Sequence, residues 1–258
     1  MTFILQPYIN PIFIEIGAVK RTRGAIQYAL ESEYPAYIIS DPGYGKSTAL
    51  HYLSQAENGA FLQISDQTKS VSGLYRGLLK ALDCYSWGPY ERDQYERLVS
   101  TLKSRSFDGS RPLIIIDEFQ ALEDRAKREL LKIQEDCRLA LVLGGNAERI
   151  TSSNSGKKDA LALKQIESRI GMRVFLPALT RPECVDIGAA YGLEGMDAYE
   201  AVENLGTQTN VRTLCMVFQQ ARKMAGPTAA LRLNHIRTAL LALNGKTTAL
   251  KLLEHAED

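Results

Sequence analysis

Apolar residues are distributed along this chain in two kinds of run. Up to about residue 178, short and nearly unbroken apolar stretches alternate with segments whose apolar residues recur every three to four positions. The first kind, at 36–40, 59–64, 113–116, 139–143 and 173–176, predicts strands. Residues 113–116 (Leu-Ile-Ile-Ile) and 139–143 (Leu-Ala-Leu-Val-Leu) carry no polar position at all, the pattern of strands buried on both faces of a parallel sheet. The second kind predicts helices over 23–32, 48–55, 74–82, 91–104, 126–134 and 161–170, with Thr22 as N-cap of the first. Strand and helix in alternation give an α/β fold with a parallel sheet flanked by helices. After Pro177 no strand pattern recurs, and helices are expected over 182–191, 196–205, 210–225 and 232–254. The boundary therefore falls near 178, with an α/β domain over 1–178 and a small all-helical lid over 179–258. Residues 1–16 are apolar but broken by Pro7 and Pro11, which predicts an extended arm or, equally, an edge strand.

Composition narrows the picture only a little. The 258 residues, 45% hydrophobic and 24% charged with a net charge of +1, describe an ordinary globular chain, so any basic surface must be local. Cys84, Cys137, Cys184 and Cys215 have no metal-ligand spacing and sit among apolar or helical residues, as in a reducing cytoplasm. No apolar stretch approaches the ~18 residues of a membrane span, and the first residues lack a basic leader, so a cytoplasmic protein without membrane contact is expected.

The predicted strand 36–40 runs into Ser40-Asp41-Pro42-Gly43-Tyr44-Gly45-Lys46-Ser47-Thr48 and then into a helical segment. Gly-Lys-Ser between a strand and a helix is the end of a phosphate-binding loop. Small residues let backbone N–H groups face phosphate oxygens, the lysine reaches the β- and γ-phosphates, and the serine hydroxyl holds Mg²⁺. A helix N-terminus behind the loop favours the anion further. The full pattern has glycine at its first position, where this chain has Ser40.

A second signature follows the apolar run 113–116, which ends in Asp117-Glu118. Acids at the carboxyl end of a parallel strand lie at the edge where ligands bind. Asp117 is placed to orient the shell of a Mg²⁺ ion, and Glu118 to act as general base on water attacking a γ-phosphate. Strand 139–143 leads into Gly144-Gly145-Asn146, which sets a polar side chain at the same edge. Glu167-Ser168-Arg169-Ile170 precedes the last strand. Arg169 is suited to reach a neighbouring subunit's γ-phosphate, with a salt bridge to Glu167 or Asp186 as the structural alternative and Arg173 as competitor for the role. Asn210-Val211-Arg212 opens a lid helix, from which Arg212 could bend over a bound nucleotide.

Taken in order, the phosphate loop, Asp117-Glu118, Asn146, Ser168-Arg169 and Arg212 resemble the Walker A, Walker B, sensor 1, arginine-finger and sensor 2 motifs of the AAA+ ATPases. Asp117-Glu118-Phe119-Gln120-Ala121-Leu122, Gly145-Asn146 and Ser168-Arg169-Ile170 are similar to the transposition-regulator ATPases of the Mu B, TnsC and TniB type, over roughly residues 20–225. That resemblance implies an ATP- and Mg²⁺-dependent ATPase that assembles with itself as a filament or ring on double-stranded DNA, and that recruits or activates a transposase. By it Lys46, Ser47 and Asp117 bind MgATP and Glu118 drives hydrolysis. Asn146 senses the γ-phosphate, Arg169 acts in trans and Arg212 in cis. DNA would be held by phosphate contacts without base readout, first by Lys69 and Arg76, then by Lys157 and Lys158, and third by Arg222, Lys223, Arg232 and Arg237. Two other readings stand beside it: a nucleotide-switched scaffold that recruits a partner, and a replication-initiator or helicase-loader ATPase.

Overall fold

The structure is a computed structural model that describes residues 13–85, 88–106, 109–146 and 167–254. Chain contacts divide it into two compact units, one over Ala18–Pro177 and one drawn from Met1–Gly17 with Ala178–Asp258. The first is an α/β unit. Its elements are α1 (Gly17–Glu31), β1 (Ala36–Ile39), α2 (Lys46–Ala56), β2 (Ala60–Gln63), α3 (Val71–Ala81), α4 (Glu91–Arg105), β3 (Leu113–Asp117), α5 (Asp124–Cys137), β4 (Ala140–Gly145) and β5 (Met172–Phe175). The five strands form one sheet in the order β2-β3-β4-β1-β5, and every pairing is parallel. The register brings Ile39 beside both Gly145 and Phe175, and Gln63 beside Asp117.

The strands alternate between two buried faces. Tyr37, Ile39, Ile114, Ile116, Leu141 and Leu143 join one core with Leu74 and Leu78 of α3, Leu98 and Leu102 of α4, and Leu130 and Leu131 of α5. Ile38, Ile115 and Val142, the alternate positions, are equally buried. Leu50 and Leu53 of α2 are also fully buried, and α2 packs on β2, β3 and β4. Burial on both sides is why 113–116 and 139–143 read as unbroken apolar runs. At the amino edge of the sheet, Arg111 donates to the carbonyls of Ala29, Leu30 and Ser32 at the end of α1 and to those of Arg138 and Leu139. A cation on orphan C-terminal carbonyls is favourable, and burial holds this guanidinium below its ordinary pKa.

The second unit is helical: α6 (Arg181–Ala190), α7 (Met196–Gln208), α8 (Val211–Ala225) and α9 (Leu233–Asn244), then a 3-10 turn over Thr247–Leu253. α6 packs on α7, and α8 on α9. Phe218 of α8 is fully buried and stacks on Tyr191 with ring centroids 4.8 Å apart.

Two expectations are corrected. The first helix begins at Gly17, so Thr22 lies inside it rather than capping it. The Thr22 hydroxyl donates back to the Ala18 carbonyl at 2.7 Å, a use open to a helical threonine as well as to a cap. The helix expected over 232–254 stops at Asn244, because Gly245 takes φ 67° and closes it in the left-handed conformation. The arm over 1–12 and most of the helix expected over 161–170 lie outside the described residues.

Candidate active site

The phosphate loop leaves β1 at its carboxyl end. Gly43 and Gly45 adopt φ 94° and 86°, a conformation side chains resist, and Gly45 leads directly into α2. Ser40 is absent from the positive-φ positions, and its amide continues the sheet by donating to the Gly145 carbonyl at 3.3 Å. A β-carbon is therefore tolerated at this first position of the loop. Ser40 is buried, and its Oγ finds no partner among the described residues. No side chain caps α2, so its first N–H groups remain available to a ligand.

The acidic pair meets this loop. Lys46 is 6% exposed, and its Nζ lies 2.9 Å from Asp117 Oδ1 and 3.5 Å from Glu118 Oε1. Asp117 is fully buried; Oδ1 also accepts the Glu118 backbone N–H at 2.9 Å, while Oδ2 has no partner among the described residues. One lysine facing two carboxylates leaves a net negative charge at the edge. A divalent cation beside Asp117 Oδ2 would answer both that charge and the unpartnered oxygen, so the residues present fit Mg²⁺. Ser47, the second residue of α2, is the hydroxyl nearest in sequence to complete such a site.

β4 separates β3 from β1 in the sheet, and its end is glycine for a steric reason. A β-carbon on Gly144 would stand 2.6 Å from Leu50 Cδ1 and 2.8 Å from Asp117 Oδ1. One on Gly145 would stand 2.1 Å from the Tyr37 hydroxyl and 2.7 Å from Gln120 Oε1. Asn146 follows, half-buried, next along the strand from the residue paired with Ile39. Ser40, Asp117, Glu118 and Asn146 thus come together at one sheet edge, although they are far apart in sequence.

Arg169 precedes β5 and so sits at the amino edge of the sheet, opposite the loop. Its Nη1 lies 3.1 Å from Glu135 Oε1, a partner different from the Glu167 or Asp186 weighed from sequence. Arg173 is exposed and donates to the Glu167 carbonyl. Arg212 is exposed on the first turn of α8 in the helical unit, a helix capped by Asn210 Oδ1 on the Thr213 N–H at 2.9 Å. Lys69 pairs with Asp66 at 2.9 Å, and that carboxylate raises the lysine's pKa. Arg76 is exposed on α3, its Nε donating to the Ser72 carbonyl. Lys157 and Lys158 lie outside the described residues. Arg222 donates to the carbonyls of Tyr191, Gly226 and Ala229, so it is engaged by its own unit. Arg232 lies 3.8 Å from Glu194.

Sequence reasoning gave no role to Tyr37 or Gln120. Gln120 Nε2 donates to Glu118 Oε2. Burial first, and then the Glu118 charge, push the Tyr37 phenol above its ordinary pKa. Gln120 was visible two residues after the glutamate, but nothing in the sequence shows its amide folding back.

Fold, phosphate loop and acidic pair together have the layout of an AAA+ P-loop unit. Residues 30–151 match the AAA domain family. The chain is similar to the ATP-dependent target DNA activator B of Escherichia phage Mu, 25% identical over 195 residues that make up 76% of this chain and 61% of that protein. It is also similar to the Mu-like prophage FluMu DNA transposition protein B of Haemophilus influenzae, 23% identical over 71% of this chain and 63% of the relative. The chain thus spans about three-fifths of the length of these relatives. In three dimensions it resembles the Aeropyrum pernix ORC2 protein, with a TM-score of 0.66 and 16% identity over 91% of this chain and 70% of that one. The resemblance to AAA+ transposition regulators, first carried by motif order, therefore holds over whole segments of sequence. Among the described residues no helix is long and apolar enough to cross a membrane.

Proposed function

We propose that this chain binds and hydrolyses ATP, and uses the nucleotide to assemble on double-stranded DNA and engage a transposase in the cytoplasm. The observation that carries the reading is the meeting of Lys46 with Asp117 and Glu118 at the carboxyl edge of a parallel sheet, beneath a glycine loop and an uncapped helix start. Residues 40–48 would cradle the phosphates with backbone N–H groups, and Lys46 would turn its ammonium to the β- and γ-phosphates. Ser47 and Asp117 would hold Mg²⁺, which neutralises charge developing on the phosphates when bound. Glu118, 34% exposed in its side chain, would take the proton of the attacking water. Asn146 would contact the γ-phosphate from the next strand, Arg169 would act on a neighbour's nucleotide, and Arg212 on its own. The names of the phage relatives, an ATP-dependent target DNA activator and a transposition protein, support the DNA and transposase parts. Lys69 and Arg76 are the first candidates for DNA phosphate contacts, and Lys157 and Lys158 the second.

Lys46→Ala tests this directly. It removes the side chain that bridges the loop and the acidic pair. ATPase activity should fall to background, and ATP-dependent binding to duplex DNA should vanish in a filter or anisotropy assay. Retention of ATP-dependent DNA binding would refute the reading.

A further inference from the structure

Resting on Glu118 as the general base, we propose that Gln120 is the residue that positions it, with Tyr37 as the support behind Gln120. The two oxygens of the Glu118 carboxylate go to different partners. Oε1 faces Lys46 at 3.5 Å, and Lys46 is the residue needed by the phosphates. Oε2 accepts from Gln120 Nε2, and that amide has no other acceptor among the described residues. Once Lys46 serves phosphate, Gln120 is the remaining hold on the base.

The hold is built into the fold. Glu118 sits in the left-handed region at φ 57°, ψ 38°, and its carbonyl accepts the Ala121 N–H at 2.8 Å, which closes a single 3-10 turn over Phe119–Ala121. That turn carries Gln120 back over Glu118. Behind it, Gln120 Oε1 and the Tyr37 hydroxyl are both buried without a partner among the described residues. Both crowd the same point, the place a Gly145 β-carbon would occupy. A phenol O–H and an amide oxygen at one buried point are complementary, by a small rotation or through one water. Tyr37 is itself fixed, fully buried and edge-on to Phe119 with centroids 6.1 Å apart. Its raised pKa keeps the phenol protonated, and so a donor, at any physiological pH. An amide with its oxygen engaged behind presents its N–H₂ forward, which fixes the carboxylate's orientation.

The test compares ATP turnover and binding of a fluorescent ATP analogue for the full chain and for Glu118→Gln, Gln120→Ala, Gln120→Glu and Tyr37→Phe. The two Gln120 variants should lose kcat by about 10–100-fold, the usual effect of removing the partner that orients a reacting group, while KM and analogue affinity stay within a few-fold. Tyr37→Phe should show the same signature more weakly. Gln120→Glu is nearly isosteric, so it reports even if Gln120→Ala fails to fold. Wild-type kcat in Gln120→Glu, with Glu118→Gln inactive, would overturn the proposal alone. Full turnover by Glu118→Gln would instead remove the base assignment, and the proposal with it.

Discussion

Gly144 shows how much one hydrogen atom decides at this site. Its neighbours at the β-carbon position are Leu50 Cδ1 and Asp117 Oδ1, at 2.6 and 2.8 Å. Neither is a free side-chain end: Leu50 is fully buried in the core, and Asp117 is held by Lys46 and by the Glu118 amide. Gly144→Ala should therefore cost about 1–3 kcal/mol as overpacking, read as a lower melting temperature. It should also weaken nucleotide binding, because the displaced group is the Asp117 carboxylate. A melting temperature and affinity equal to wild type would show that β4 yields at no cost. From sequence, Gly-Gly-Asn after an apolar run reads only as a turn with a polar residue. Which atoms crowd each glycine depends on β4 lying between β3 and β1, a matter of sheet order that no local pattern contains. Ser40 is the converse case. The loop pattern marks it as a departure, whereas the backbone there is ordinary and makes no demand for glycine.

At the scale of elements, the ends of helices were less legible than their middles. The apolar period placed α3, α4, α5 and α8 well, because each buries a stripe against the core or its partner. Caps were harder. Thr22, a cap by residue type, is spent on an internal bond to Ala18, whereas Ser70 caps α3 by accepting the Gly73 N–H at 3.2 Å. Asn210 caps α8 in the same way. Asn210→Ala should destabilise the helical unit by about 1 kcal/mol, visible as a lower denaturant midpoint with an unchanged m-value. Since Arg212 lies in the turn that this cap fixes, nucleotide affinity should fall if Arg212 acts on the nucleotide. Thermal stability unchanged within error would mean that water replaces the cap without loss.

At the scale of the whole molecule the question is where the charges of the site come from. Arg169 lies at the sheet edge opposite the loop, paired with Glu135 across the surface, each side chain about half exposed. Such a pair contributes roughly 0–1 kcal/mol to stability, so Arg169→Ala should leave folding and monomer nucleotide binding close to wild type. If the arginine serves a neighbour, ATP turnover of assemblies on duplex DNA should drop by about 10³-fold, while dilute monomer turnover hardly changes. An equal loss in the monomer would place its action within its own subunit. Imaging with ATP and duplex DNA tests the same step by eye: regular filaments or rings are expected, and persistent single particles would contradict assembly. The sequence alone determined the strand–helix alternation, the glycine loop with Lys46 and the acids ending a buried strand, because these follow from local periodicity and from chemistry within a few residues. Only the tertiary structure decided which acids the lysine meets, why β4 ends in two glycines, and that Gln120 and Tyr37 stand behind Glu118. Those facts depend on strands far apart in sequence lying side by side, and a side chain's partners across a sheet leave no periodic trace in its own segment.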